Sequence, residues 1–238
     1  MKTQTLEYRH DNIVSHGFLA RPDGTERRPG VVIFHEAPGL DEHPKKRARM
    51  LAELGYVALA ADLYGGGKVA GSGPEALAMM GAVQADEAVM LGRIRASFDA
   101  LAALEGVDKD KLGATGYCFG GLCALELARS GAPVGAVVTF HGLLLTKHPA
   151  QPGKVKGKLM ICTGSEDPLV PAEQVAGFEK EMSHAGADWQ VITYSGAKHA
   201  FTNTIADHIG PGFGYSKTAD ERSWNAMRSH FNEVFGSR

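Results

Sequence analysis

Cys118, Asp167 and His199 are the residues whose types and order in this chain suit nucleophilic chemistry. Cys118 lies in Gly116-Tyr117-Cys118-Phe119-Gly120-Gly121. That is the glycine-flanked pattern of a sharp strand-to-helix turn, which lifts its central side chain above the sheet edge, with Cys where Ser is usual. Glycines two residues before and after are required because strand and helix nearly touch, and a Cβ at either position would clash. The turn also sets Cys118 at a helix N-terminus. Unsatisfied N–H groups and the dipole there favour a thiolate, and an oxyanion on a bound substrate. A free thiol has a pKa of ~8.5 and is mostly protonated at neutral pH, so it needs help from a base. His199, in Tyr194-Ser195-Gly196-Ala197-Lys198-His199-Ala200-Phe201, can take or hold the thiol proton and return it to a leaving alkoxide. Asp167, in Gly164-Ser165-Glu166-Asp167-Pro168-Leu169-Val170-Pro171, can fix the tautomer of that histidine and stabilise its cation. Glu166 is a rival for the acid role. The shorter side chain directly before Pro168 favours Asp167.

The elements that must position these residues follow a rhythm of short apolar runs and longer amphipathic stretches. Residues 1–20 read as an opening β-hairpin at a sheet edge, closed by the turn signal Arg21-Pro22-Asp23-Gly24. Strands are expected at 30–34, 56–60, 111–116, 134–140, 158–163 and 189–194. Helices are expected from Asp41 as cap through Leu54, from Pro74 to Leu104 with a break near Gly81 or Gly92, and over 122–129, 172–184 and 218–235. Gly65-Gly66-Gly67 and Gly71-Ser72-Gly73 suggest that the segment from Gly65 to Met90 forms a mobile flap. Strands alternating with helices imply an α/β chain with a mostly parallel central sheet and helices on both faces. In such sheets ligands sit beyond the carboxyl ends of the strands. Cys118, Asp167 and His199 each follow a strand run, in the order nucleophile, acid, histidine that the α/β-hydrolase fold requires. The expected organisation is a single α/β-hydrolase domain over 1–238.

Composition narrows the class. Apolar residues make up 44% of the 238 and charged residues 22%, with net charge −2. That balance supports a sizeable core and argues against nucleic acid or an anionic membrane as partner. Three cysteines, Cys118, Cys123 and Cys162, are no disulfide framework. Cys123 and Cys162 read as packing residues. Met1 to Glu7 carries no apolar stretch of signal-peptide length, and no run of about 18 apolar residues occurs. The expectation is a cytoplasmic protein with reduced thiols, monomer or homodimer, with no metal and no cofactor. The loop His35-Glu36-Ala37-Pro38-Gly39 follows the first long strand. In this fold it donates an oxyanion-hole N–H, here from Ala37, alongside the N–H of Phe119. Glu36 would then point into the site. Most of the remaining histidines, a set that includes His43 and His230, read as exposed or helix-surface residues. His35 and His141 stand out because both sit at strand ends.

Together these segments resemble the dienelactone hydrolase family. The resemblance is carried by His35-Glu36-Ala37-Pro38-Gly39, Ala61-Asp62-Leu63-Tyr64, the Cys118 turn, the Asp167 and His199 loops, and Gly212-Phe213, Ala219, Trp224 and Phe231. It implies a Cys-His-Asp triad at Cys118, His199 and Asp167. It also implies that Glu36 holds or activates the resting thiol until a substrate carboxylate draws it away, which would spare the thiol idle oxidation. Members acting on dienelactone hold that carboxylate with arginines. One lies four residues after the histidine, where this chain has Asn203. Another lies on the long helical segment, yet no arginine occurs here between Arg49 and Arg93. Lysines do not replace a bidentate guanidinium. The departure points to a neutral or bulkier ester, lactone or thioester, in a pocket of Tyr64, His141, Phe201 and Asn203 with Met79 and Met80 as flexible walls. Two other readings remain open. One is a non-catalytic binding or carrier protein. The other is a redox-sensitive thiol resolved by Cys123, although residues five apart on a helix face each other poorly.

Overall fold

Two antiparallel strands, β1 (Lys2–His10) and β2 (Ile13–Arg21), open the computed structural model, which describes residues 1–236. They turn at Asp11-Asn12, with Asp11 at φ 50°. A short polar side chain makes that left-handed backbone tolerable. β3 (Arg28–Phe34) leads to α1 (Glu42–Glu53), capped by Asp41, whose carboxylate accepts from His43 N. β4 (Val57–Ala60) runs parallel to β3, with Val32 opposite Leu59, and antiparallel to β2. Val31, Val32, Ile33 and Phe34 are all fully buried. Successive strand residues face opposite sides, so this strand is covered on both faces, as a parallel sheet requires.

The long alanine-rich segment forms two helices, α2 (Gly73–Gln84) and α3 (Glu87–Ala102). The break falls at 85–86, not at Gly81 or Gly92 as the sequence suggested. Asp86 makes it, since its carboxylate caps α3 by accepting from Val89 N at 3.1 Å. Gly92 lies inside α3 for another reason: a Cβ there would sit 1.9 Å from His10 Nε2, so the glycine admits the end of β1 against the helix. The glycine run 65–67, expected as part of a flap, is tied down. Buried Asp62 accepts N–H bonds from Tyr64, Gly65, Gly67 and His16 at 2.7–3.1 Å.

β5 (Val107–Tyr117) starts earlier than the apolar run suggested, and α4 (Phe119–Arg129) begins directly after Cys118 rather than at Leu122. Then come β6 (Ala136–Phe140), β7 (Lys158–Gly164), α5 (Ala172–Ala185), β8 (Trp189–Tyr194) and α6 (Lys217–Phe235). The chain divides into two compact units, 1–115 and 116 onward. In the first, the strand order is β1-β2-β4-β3-β5. In the second, β6, β7 and β8 are neighbours and parallel, with Phe140 opposite Cys162 and Cys162 opposite Ile192. Within that unit buried Arg129 is bidentate to Glu181 (2.8 and 2.9 Å) and also binds Glu126 and the Leu144 carbonyl. Among the described residues no helix is long and apolar enough to cross a membrane.

Candidate active site

The turn from β5 into α4 gives Cys118 a backbone that few residues with a Cβ adopt, φ 52° and ψ −116°. Such strain persists only where the surroundings hold it, and here they do. Cys118 N donates to Phe140 O at 3.2 Å, and Cys118 O accepts from Gly121 N and Leu143 N. Glycine is demanded by contact: a Cβ on Gly116 would lie 1.9 Å from Gly120 O, and one on Gly121 would lie 2.4 Å from Gly142 Cα. Cys118 is partly exposed, while Cys123 and Cys162 are buried, and all three are free thiols. Burial raises the Cys123 thiol well above its usual range and pushes Cys162 up to about 12. Phe119 opens α4, so its N–H belongs to the first turn, where the helix supplies no acceptor.

β7 and β8 end in the loops that carry Asp167 and His199. Asp167 Oδ2 lies 2.8 Å from His199 Nδ1, and both side chains are fully buried. Asp167 Oδ1 accepts from Leu169 N at 2.9 Å, which fixes the carboxylate plane. Glu166, its sequence neighbour, is exposed. The loop of His199 is held by His199 N to Gly212 O and Gly214 N to His199 O, with the Phe213 ring edge-on at 5.3 Å. Burial disfavours the cationic ring. The hydrogen bond to Asp167, the nearby Cys118 sulfur and the charges of both outweigh it and push His199 up to about 10. Nε2 is buried and makes no conventional hydrogen bond. The sulfur therefore acts on the ring by proximity rather than through an aligned bond.

His141 follows β6 with φ 41° and is fully buried. Its Nε2 is 2.8 Å from Thr202 Oγ1, and its ring stands edge-on to His199 at 5.3 Å and to Phe201 at 5.1 Å. His141 and Phe201 therefore pack behind the Asp167–His199 pair and expose no surface of their own. Asn203 is nearly buried and uses Oδ1 to accept from Ile205 N at 3.2 Å, closing the turn after His199. Thr202 was not singled out from the sequence, because only the fold reveals its contact with His141.

In the first unit, Glu36, Ala37 and Tyr64 come together. Tyr64 OH donates to Ala37 O at 2.7 Å, and Arg93 holds the carbonyls of Leu63 and Tyr64. Glu36 is nearly buried, with Oε2 at 3.3 Å from His43 Nδ1. His43 is thus a functional candidate that the sequence reading placed among surface histidines, and its i,i+4 spacing to Arg47 on α1 was the available signal. His230, also placed at the surface, is buried with Nε2 3.2 Å from Lys158 O.

Residues 15–235 match the model of the dienelactone hydrolase family. The solved structure "m3DLH" superposes with a TM-score of 0.94 at 42% identity, covering 98% of both chains. A dienelactone hydrolase-like promiscuous phosphotriesterase from metagenomic libraries gives a TM-score of 0.94 at 39% identity with the same coverage. A probable 2-oxo-3-(5-oxofuran-2-ylidene)propanoate lactonase of Bradyrhizobium sp is 27% identical over 239 residues, covering 94% of this chain and 94% of that protein.

Proposed function

The chain belongs to the dienelactone hydrolase family and is a hydrolytic enzyme, and from that premise we propose that it opens carboxylic ester or lactone bonds through Cys118, His199 and Asp167. The observation that carries this reading is the buried Asp167–His199 pair at 2.8 Å, joined to a strained, partly exposed thiol at a helix start. Residues 1–238 act as one catalytic domain, since the family match runs through both units. Residues 237 and 238 lie outside the described ones. A reducing, cytoplasmic setting suits a thiol nucleophile.

Cys118 Sγ, its proton passed to His199, attacks the carbonyl carbon. The resulting oxyanion is held by the N–H groups of Phe119 and Ala37. As the C–O bond breaks, His199 protonates the leaving alkoxide, leaving an acyl-thiol. Water then attacks the acyl carbon and gives a proton to His199, and the thiol is restored. Asp167 holds the imidazole with Nε2 turned to the reaction and stabilises its cation. Glu36 guards the resting thiol: as an anion it disfavours a second anion until substrate displaces it. Tyr64 and Asn203 border the acyl group, and His141 and Phe201 act on it only through the His199 ring they pack behind.

The test is hydrolysis of a short-chain p-nitrophenyl ester before and after iodoacetamide treatment. Loss of activity on alkylation is expected, with Cys118→Ala inactive and Cys118→Ser leaving a small residue. Equal activity in Cys118→Ala and wild type would sink the reading. The likeness to the promiscuous phosphotriesterase favours a second activity at the same thiol. Release of p-nitrophenol from a phosphotriester, abolished by the same alkylation, is its expected signature.

A further inference from the structure

Glu36 faces an imidazole whose proton is set from its other side. Arg47 Nε donates to His43 Nε2 over 3.3 Å. An arginine donates and never accepts, so Nε2 is the acceptor nitrogen. The neutral ring then carries its proton on Nδ1, the atom 3.3 Å from Glu36 Oε2. The approach is a contact at ion-pair distance rather than an aligned hydrogen bond. All three side chains are largely buried. Their placement follows from α1. His43 and Arg47 stand one turn apart on it, and Asp41 caps its start by accepting from His43 N at 3.0 Å. The polarity of a buried guanidinium is thus passed through a neutral ring to the Glu36 carboxylate. Asp41 and Lys45 add charge beside the cluster. Burial, then the charge of Glu36, holds the Asp41 carboxyl above its ordinary value.

We infer that His43, backed by Arg47, is the positioning residue that keeps Glu36 ionised and aimed in the resting enzyme. The inference rests on the proposed reading of Glu36 as guard of the thiol. A buried carboxylate without such support takes up a proton, and a neutral Glu36 no longer opposes a thiolate. Arg47 thereby gives Glu36, from within the chain, the polar support that a cation beside it would otherwise provide.

The test is the rate of Cys118 alkylation by iodoacetamide from about pH 5 to about pH 9, which reads thiolate directly and needs no substrate. Cys123 and Cys162 are buried, with thiols pushed up by burial, so the label reports Cys118. Glu36→Gln is expected to speed alkylation at neutral pH. His43→Phe is expected to act in the same direction by about threefold or more, a shift of about half a unit. His43→Gln, which keeps an N–H donor, should stay at the wild-type rate. The double variant Glu36→Gln/His43→Phe should match Glu36→Gln alone. Should His43→Phe not fold, Arg47→Met frees the tautomer and is expected to shift the rate the same way. Glu36→Gln faster with His43→Phe unchanged overturns the inference and leaves the guard reading standing. Glu36→Gln unchanged overturns both. An equal effect of His43→Phe with and without Glu36 means that His43 acts on packing, and that too overturns the inference.

Discussion

His199 holds its proton against burial because Asp167 and Cys118 act on it together. A folded-state value near 10 against an ordinary 6.5 means that the folded protein keeps a proton which the unfolded chain releases. Stability from this source is fully present below about pH 6.5 and is lost as pH rises towards about 10. Denaturant midpoints should therefore fall between pH 7 and pH 9.5 in wild type, and fall less in His199→Gln. A parallel decline in both proteins would remove His199 as the source. Asp167→Asn tests the orienting role separately. It keeps the side-chain shape but supports the wrong tautomer, so kcat should drop by about 10⁴-fold. A loss of less than tenfold would show that Asp167 does not orient the ring. The residues of this pair were legible in the sequence because each closes a strand run and the chain order is fixed by the fold. His43 was not legible, since its partner Glu36 is set by how α1 lies beside the loop after β3. Thr202 escaped for the same reason.

At the scale of elements, caps carried much of the readable signal. Asp41 and Gly55 bounded α1, and Gly186 ended α5 in the left-handed conformation. The α2–α3 break was misplaced because two glycines in an alanine-rich run looked like stronger breakers than a lone aspartate. β5 looks short in the sequence because Asp108-Lys109-Asp110-Lys111 is charged and half-buried or exposed, which separates buried Val107 from the continuous buried run that starts at Leu112. Asp86→Ala should destabilise the protein by about 1 kcal/mol, the usual worth of such a cap. Gly81→Ala, with open space around its Cβ, should be neutral or stabilising. Urea denaturation of the two variants checks the assignment, and a larger loss from Gly81→Ala would return the break to the glycine. Gly116→Ala is a harsher case, because its Cβ would meet the backbone of Gly120. It is expected to lose roughly 3 kcal/mol or more, and activity at the adjacent thiol with it.

Across the whole molecule, the placement of cations bears on which acyl compounds the enzyme selects. Arg93 is engaged by the Leu63 and Tyr64 carbonyls, and Arg129 lies in a buried network with Glu126 and Glu181. Arg47 is turned to His43. Lys68 and Lys198 are exposed. Asn203, at the place where the family resemblance implies an arginine, has its amide oxygen on Ile205 N and carries no charge. A substrate carboxylate entering such a site would lose water without gaining a bidentate partner, and desolvating an unpaired anion is costly. Neutral esters and lactones avoid that cost. Their kcat/KM should exceed that of carboxylate-bearing lactones of similar size by at least about tenfold, which corresponds to ~1.4 kcal/mol of transition-state binding. The preference should appear mainly in KM and weaken little with added salt, because it reflects desolvation rather than long-range attraction. Asn203→Arg should narrow it by restoring a guanidinium next to the histidine loop. Equal kcat/KM for the two substrate classes in wild type would show that another group receives the carboxylate. A rise in KM for the anion with salt would identify that group as a cation.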